Sequence, residues 1–262
     1  MSYRPILTSL FCACVFAGSM PARADLVQTL AKLKPAIVGV GTVLPTRNPA
    51  RMFAGTGFVA GDGLTVVTNV HVLPALLDEE KKEQLVVYAG SAQHPDVREA
   101  TVLARDAEHD IALLRISGKP LVALAMGDSN TLKEGATVAF TGFPLGMILG
   151  LYPATHRGIV AAITPYVSPV YNSKQLDVKA ILRLNHPFDV FQLDAIAYPG
   201  NSGSPMYDPE TGVVYGVVNS VFIKESKENL LKQPSGKRAQ FMALISISLS
   251  VHQVDASMAK AV

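Results

Sequence analysis

The sequence predicts an all-β protein made of two small β-barrels in series, with short helices at its ends. Two sets of short runs rich in Val, Ile and Leu succeed one another, each run bounded by Gly, Pro, Asp or Asn. Between the sets, Gly118–Asn130 breaks the pattern with Lys119-Pro120 and Gly127-Asp128-Ser129-Asn130. Many short strands at close spacing, with little helix outside the two ends, suit a barrel or a sandwich.

The first two dozen residues stand outside that fold. Arg4 precedes an apolar run from Ile6 to about Gly18, and Ala22-Arg23-Ala24 closes the segment. This is the layout of a secretory signal peptide with a small-x-small cleavage site, so residues 1–24 are expected to be removed. An uncleaved membrane anchor is the competing reading, but the run is shorter than the ~18 residues a spanning helix needs. The mature chain is thus expected to begin near Asp25 and to be exported, to a periplasm or to the medium.

From there the elements follow in order. Leu26, Val27, Leu30 and Leu33 recur at helical spacing and Pro35 stops them, which predicts a helix over Asp25–Lys34. The first strand set is Ala36–Leu44, Gly55–Ala60, Leu64–Thr68, Leu85–Ala89, Val97–Arg105 and Asp110–Ile116. The second is Thr137–Thr141, Thr155–Ile163, Val178–Leu184, Val190–Asp194, Gly212–Val221 and Phe241–Ile247. Residues 25–118 therefore form the helix and first barrel, and residues 119–262 the second barrel and C-terminal segment. Lys224–Arg238 reads as an exposed loop.

Composition narrows the function. Cys12 and Cys14, both in the leader, are the only cysteines, so the mature chain relies on an apolar core rather than on disulfides. Without Arg4 and Arg23 it holds 21 basic against 21 acidic residues, which gives no electrostatic reason to expect nucleic acid or an anionic membrane as partner. No run after the leader is long and apolar enough for stable membrane insertion. No His/Cys/Asp/Glu set has ligand spacing, so no metal or other cofactor is expected.

The chemistry concentrates in Tyr198-Pro-Gly-Asn-Ser-Gly-Ser-Pro205. A serine hydroxyl is a poor nucleophile at its free pKa and needs a base and an exposing turn. Gly200 and Gly203 permit tight backbone on either side of Ser202, and the amides of Gly200 and Ser202 can converge as an oxyanion hole. Of six histidines, His71 follows an apolar strand in Thr68-Asn-Val-His-Val72 and is the candidate base. His94, His186 and His252 lie in ordinary polar or terminal surroundings, His109 neighbours a candidate acid, and His156 begins a strand. Asp110 stands at the mouth of an apolar strand, where a carboxylate needs a partner such as an imidazole N–H; Asp106 is the local alternative. The order His71, Asp110, Ser202, with spacings of 39 and 92 residues, is that of chymotrypsin-type barrels. Subtilisin and α/β-hydrolase orders differ from it.

The same motifs resemble the protease domain of the high-temperature-requirement A (HtrA, or Deg) branch of trypsin-like serine proteases. Pro35-Ala-Ile-Val38, Gly55-Thr-Gly-Phe58, Thr68–Val72 and Asp106–Ala112 match in the first half. Gly127–Ser129 through Gly135, Val138-Ala139, Gly142–Gly146, Arg157–Ala161, Gln192–Ala195, Gly200–Gly203 and Phe241–Ile247 match in the second. The likeness covers about residues 33 to 250. It departs at Ser204, where the family has a second glycine, and in a longer Pro165–Phe191. The chain ends at Val262, so no regulatory PDZ domain is expected after the barrels.

The resemblance implies a chymotrypsin/trypsin-like double barrel and endoproteolysis through an acyl-enzyme, with His71, Asp110 and Ser202 as catalytic residues. Substrate, a protein or peptide in an unfolded state, is expected to pair with the edge strand at Asn219, Ser220, Val221 and Phe222. Ile196, six residues before Ser202, and Ser220 would line the primary pocket, which favours a small or medium apolar side chain. The family implies trimers packed through the start of the domain, although Asp25–Leu44 carries no aromatic cluster. Two other functions fit the same residues: a protease-shaped binding or chaperone module with a latent site, and an esterase on the same barrels.

Overall fold

A computed structural model describes residues 25–90, 93–144, 146, 150–165, 188–223 and 241–246. Helix α1 (Leu26–Leu33) comes first, with the Asp25 carboxylate accepting from the Val27 amide at its start. Leu33 is buried, and the Thr29 hydroxyl donates to the Glu210 carbonyl at 3.1 Å. One face of the helix therefore packs on a turn of the second barrel, far along the chain.

Six strands then close the first barrel: β1 (Ile37–Val43), β2 (Arg51–Ala60), β3 (Thr65–Thr68), β4 (Gln84–Gly90), β5 (Pro95–Asp106) and β6 (Ile111–Ile116). They run in the order β1-β2-β3-β6-β5-β4, and every neighbouring pair is antiparallel. Closure leaves no free sheet edge, and the Val/Ile/Leu positions fill the interior. Val38, Val40, Phe58, Val66, Val87 and Leu114 are all but fully enclosed.

The second barrel comprises β7 (Thr137–Gly142), β8 (Ala154–Pro165), β9 (Asp189–Asp194), β10 (Pro205–Tyr207), β11 (Val214–Ile223) and β12 (Phe241–Ser246). Its order is β10-β11-β12-β9-β8-β7. Val138, Phe140, Val160, Phe191 and Met206 form its separate core. The larger core of the first barrel runs on into the second through Ala139, Phe143, Tyr207, Val214 and Val217. Between the barrels, Leu124 bridges to Ala60 and Met126 to Val214, so the connector is stitched to both.

The all-β expectation and the pair of barrels hold, with differences in detail. β2 starts at Arg51, four residues before the apolar run, because Arg51–Phe53 pair with Val43–Gly41 across a register shift at Val40/Gly41. Long-range pairing, not local hydrophobicity, extends that strand. β10 is a three-residue strand that the hydrophobic pattern does not announce; it forms because β7 and β11 flank it. Asp110 lies just before β6 rather than in it. The helix expected over Asp25–Lys34 is present as Leu26–Leu33. Residues 1–24, Val178–Leu184, Lys224–Arg238 and the C-terminal end lie outside the described residues. Among those described, no helix is long and apolar enough to cross a membrane.

Candidate active site

β3 ends at Thr68, and the chain turns through Asn69 into a short 3-10 turn over Val70–Val72 that presents His71. The turn is set by Asp110, at the far end of the β5–β6 connection. The Asp110 carbonyl accepts from the Asn69 side-chain amide at 2.9 Å and from the Val70 amide at 3.2 Å. One carboxylate oxygen accepts from the His71 amide at 2.9 Å, and the other lies 2.5 Å from His71 Nδ1. Asp110 reaches this position with φ +57, a left-handed conformation that Asp tolerates better than most residues. The carboxylate is 22% exposed beneath a ring that is 47% exposed, so the acid is sheltered while the imidazole faces solvent. This arrangement favours the tautomer with the proton on Nδ1 and leaves Nε2 as the ring nitrogen able to accept one.

Asp106, the local alternative, is engaged elsewhere. Its carboxylate accepts from the amides of Glu108 and His109 and lies 2.6 Å from His109 Nδ1. Burial pushes its carboxyl up, but the hydrogen bonds from the His109 amide and ring hold it below its ordinary value. The Asp106–His109 pair closes the turn before Asp110, and the His109 ring packs on Phe188 with centroids 4.5 Å apart.

On the second barrel, Tyr198-Pro199-Gly200-Asn201 forms a turn closed by the Asn201 amide donating to the Tyr198 carbonyl at 3.0 Å. Pro199 and Gly200 take its two central positions, and Gly200 has φ +99, the pattern of a type II turn. Ser202 follows, half-buried, and Gly203 (φ +86) donates its amide to Val218 at 2.8 Å. A side chain at Gly203 would strike the Thr56 carbonyl and the Thr68 hydroxyl, so only glycine fits here. Among the described residues, the amides of Gly200 and Ser202 donate to no protein acceptor. Asn201 and Ser204 are fully buried, and both polar ends of the Asn201 side chain and the Ser204 hydroxyl lack partners among the described residues.

The structure thus joins His71 to Asp110 and brings the Ser202 turn against β2, whose Thr56 amide donates to the Ser202 carbonyl at 2.8 Å. It does not join Ser202 to His71. The Ser202 hydroxyl donates instead to the Asn219 carbonyl at 3.4 Å, and no hydrogen bond links it to the imidazole. Such contacts are commonly long in substrate-free enzymes and tighten on binding. The Asn219 side chain reaches the His109 carbonyl at 3.5 Å, which ties β11 to the loop that carries Asp110. Ile196 is 56% exposed. Ser220, Val221 and Phe222 pair with Leu244, Ala243 and Met242 of β12, while β10 accompanies β11 only as far as Val217.

Three supporting roles escape a reading of the sequence alone. Asn69 braces Asp110, Thr56 holds the Ser202 turn, and Asn219 spans the barrels. Asn69 and Thr56 stand inside Thr68–Val72 and Gly55–Phe58, but nothing in residue type or spacing distinguishes a bracing side chain from a filler. His156 is another residue whose place only the fold shows. Its ring stacks on Phe140 at 5.0 Å and lies 5.8 Å from Tyr198, and burial holds its pKa below the ordinary histidine value. Among the described residues no group could hold a metal ion.

Two closed barrels, with the His71–Asp110 pair on one and the Ser202 turn on the other, define the trypsin-like peptidase fold. The family model for the trypsin-like peptidase domain matches residues 55–217, and the chain belongs to that family. Among curated proteins it is 30% identical over 200 residues to serine protease HTRA3 of Rattus norvegicus, covering 74% of this chain and 38% of the relative. It is 27% identical over 178 residues to a probable periplasmic serine endoprotease, DegP-like, of Halomonas elongata, covering 66% of this chain and 31% of the relative. The chain spans about a third of the length of these relatives. A solved HtrA-type protease, AlgW with a decapeptide, superposes with TM-score 0.61 at 20% identity, over 90% of this chain and 67% of that one. Rv3671c from M. tuberculosis H37Rv, in an inactive form, superposes with TM-score 0.59 at 24% identity, over 89% of both chains. The resemblance to HtrA proteases read from the motifs agrees with these matches.

Proposed function

We propose that the chain is an exported serine endopeptidase that cleaves protein substrates through an acyl-enzyme, with His71 as base, Asp110 as its orienting acid and Ser202 as nucleophile. Ser202 Oγ attacks the scissile carbonyl carbon as His71 Nε2 takes the hydroxyl proton. The proton then passes to the leaving amine as the C–N bond breaks, and water releases the acyl group by the reverse sequence. Asp110 keeps the other ring nitrogen protonated and stabilises the imidazolium. The amides of Gly200 and Ser202 receive the oxyanion, each worth about 3 kcal/mol in a site of this kind. The single observation that carries the reading is the His71–Asp110 contact at 2.5 Å, reinforced by the same carboxylate holding the His71 amide.

Substrate binding follows from the open side of β11. An extended, unfolded segment adds beside Asn219, Ser220, Val221 and Phe222, with its leading side chain against Ile196 and Ser220. An apolar side chain of small or medium size suits these uncharged walls. The leader over 1–24 supports export to a periplasm or the medium, and the resemblance to the HtrA branch implies assembly as trimers. The reading needs no nucleic acid, membrane insertion, metal or other cofactor.

The test is labelling of the exported chain by a fluorophosphonate, with cleavage of an unfolded protein alongside. Labelling confined to Ser202 and lost in Ser202→Ala supports the reading; a folded sample that takes no label under several conditions, including heat and excess peptide, defeats it. A second reading, a latent or binding module on the same barrels, is favoured by one observation: the Ser202 hydroxyl turns to Asn219 and not to His71. Peptide binding without turnover under all those conditions would select it. Turnover of small esters but not of proteins would indicate an esterase.

A further inference from the structure

The Ser202 turn belongs to the second barrel, yet a residue of the first barrel grips it from two directions. Thr56 lies on β2, fully buried, just beyond the point where β3 stops pairing at Phe58. Its amide donates to the Ser202 carbonyl at 2.8 Å, and its hydroxyl donates to the Gly200 carbonyl at 2.7 Å. The hydroxyl in turn accepts from the Phe143 amide at 3.0 Å, and the Thr56 carbonyl accepts from the Thr68 hydroxyl at 2.7 Å. Thr68 stands three residues before His71.

Every hydrogen-bonding group of Thr56 is thus engaged, and its bonds connect the strand leading to the base with both residues whose amides frame the oxyanion site. The neighbouring Asn201 and Ser204 side chains, by contrast, have no such partners among the described residues. A buried hydroxyl with one donor behind it and one acceptor ahead is locked in direction, because turning it strands a polar group on each side. With φ +99 at a glycine, the turn can convert from type II to type I by rotation of the Pro199–Gly200 peptide, which redirects the Gly200 amide; Thr56 holds the adjoining Gly200–Asn201 peptide, which that rotation must pivot against.

We infer that Thr56 is a positioning residue for catalysis: its hydroxyl and amide pin the Gly200–Asn201 and Ser202–Gly203 peptides, and by holding these flanking units keep the Gly200 and Ser202 amides aimed at the oxyanion and in register with His71. The inference rests on the assignment of Ser202 as nucleophile. It concerns the transition state and not substrate affinity, since Thr56 is enclosed and touches no substrate.

The test compares Thr56→Val, which keeps the shape and removes the hydroxyl, with Thr56→Ser, which keeps the hydroxyl, in the full exported chain. Thr56→Val is expected to lower kcat for a peptide amide about tenfold to a hundredfold, up to the low end of the loss on removing an oxyanion donor outright, with KM within about twofold. Affinity for a peptide aldehyde, which forms a tetrahedral adduct with Ser202, falls in parallel, while affinity for the product peptide does not change. Thr56→Ser retains kcat within about threefold. Wild-type kcat in a folded Thr56→Val, or an equal loss in Thr56→Ser, overturns the inference. Should Thr56→Val fail to fold, Thr56→Cys, which offers a much weaker donor in a similar volume, decides: a lower kcat at unchanged KM supports the inference, and an unchanged kcat overturns it. Wild type that takes no fluorophosphonate label at Ser202 defeats the underlying assignment instead, so the two failures are told apart.

Discussion

The two barrels hold their parts of the site in different ways. The first is self-sufficient: His71 and Asp110 are braced by bonds among Asn69, Val70, His71 and Asp110, all carried on its own strands and turns. The second is not. Its Ser202 turn has bonds to Val218 and Asn219 on its own side, but Thr56 of the first barrel supplies the bonds to the Gly200 and Ser202 carbonyls. The cores repeat the asymmetry, since the first barrel's core continues into the second through Phe143 and Tyr207. His71 and Asp110 are a local construction, whereas Ser202 is placed by the interface. Disturbance at the interface should therefore reach Ser202 before it reaches His71.

The largest expected effect breaks the local construction. Asp110→Asn keeps the shape but offers the wrong hydrogen-bonding group to His71 Nδ1, and kcat should fall on the order of 10⁴-fold with little change in thermal stability. Steady-state kinetics beside a melting curve checks this; a loss below tenfold would remove Asp110 from the site. Next is the interface itself. Gly203→Ala combines a left-handed φ with a collision against the Thr56 carbonyl, and should cost on the order of 3 kcal/mol of stability together with most of the activity. Denaturant unfolding and labelling of Ser202 measure both; loss of stability with full labelling would show that the barrels place the nucleophile independently.

Acid should separate the barrels more gently. His156, in the second, has a depressed pKa, so the unfolded chain binds its proton more readily. Its contribution is present above about 6.5 and is lost as pH falls from there through the lower folded value. Asp106, in the first, is held below 3.8, so its contribution persists to more acidic pH before it is lost. Melting temperatures across that range should decline less in His156→Phe, which keeps the stack on Phe140, than in wild type. Equal slopes would contradict the assignment. The smallest effect is expected at Ser204→Ala. Removing a buried hydroxyl that lacks a partner among the described residues should leave stability unchanged or raise it by about 1 kcal/mol, with kcat within about twofold.

Much of this was legible in the sequence because it was written in contiguous motifs. Short Val- and Ile-rich runs announced most strands of both barrels, and Gly200 and Gly203 marked a turn that the structure gives positive φ. Thr68–Val72 and the acid at Asp110 stood out by their company. β10 did not, because Pro205–Tyr207 is too short to show a period and becomes a strand only between β7 and β11. The reach of β2 back to Arg51 was hidden for the same reason. Asp106 and Asp110 differ little in sequence, and only the fold sends one to His109 and the other to His71.

By itself the sequence determined the all-β class, the succession of two barrels and the residue types suited to acyl transfer. Hydrophobic period and glycine placement act over a few residues and can be read without the fold. Tertiary structure alone decided that Asp110 turns left-handed to embrace His71, that Thr56 crosses from one barrel to the other, and that the Ser202 hydroxyl faces Asn219. Those contacts join residues 17 to 144 positions apart. Their geometry depends on how closed barrels pack, which no local pattern in the chain records.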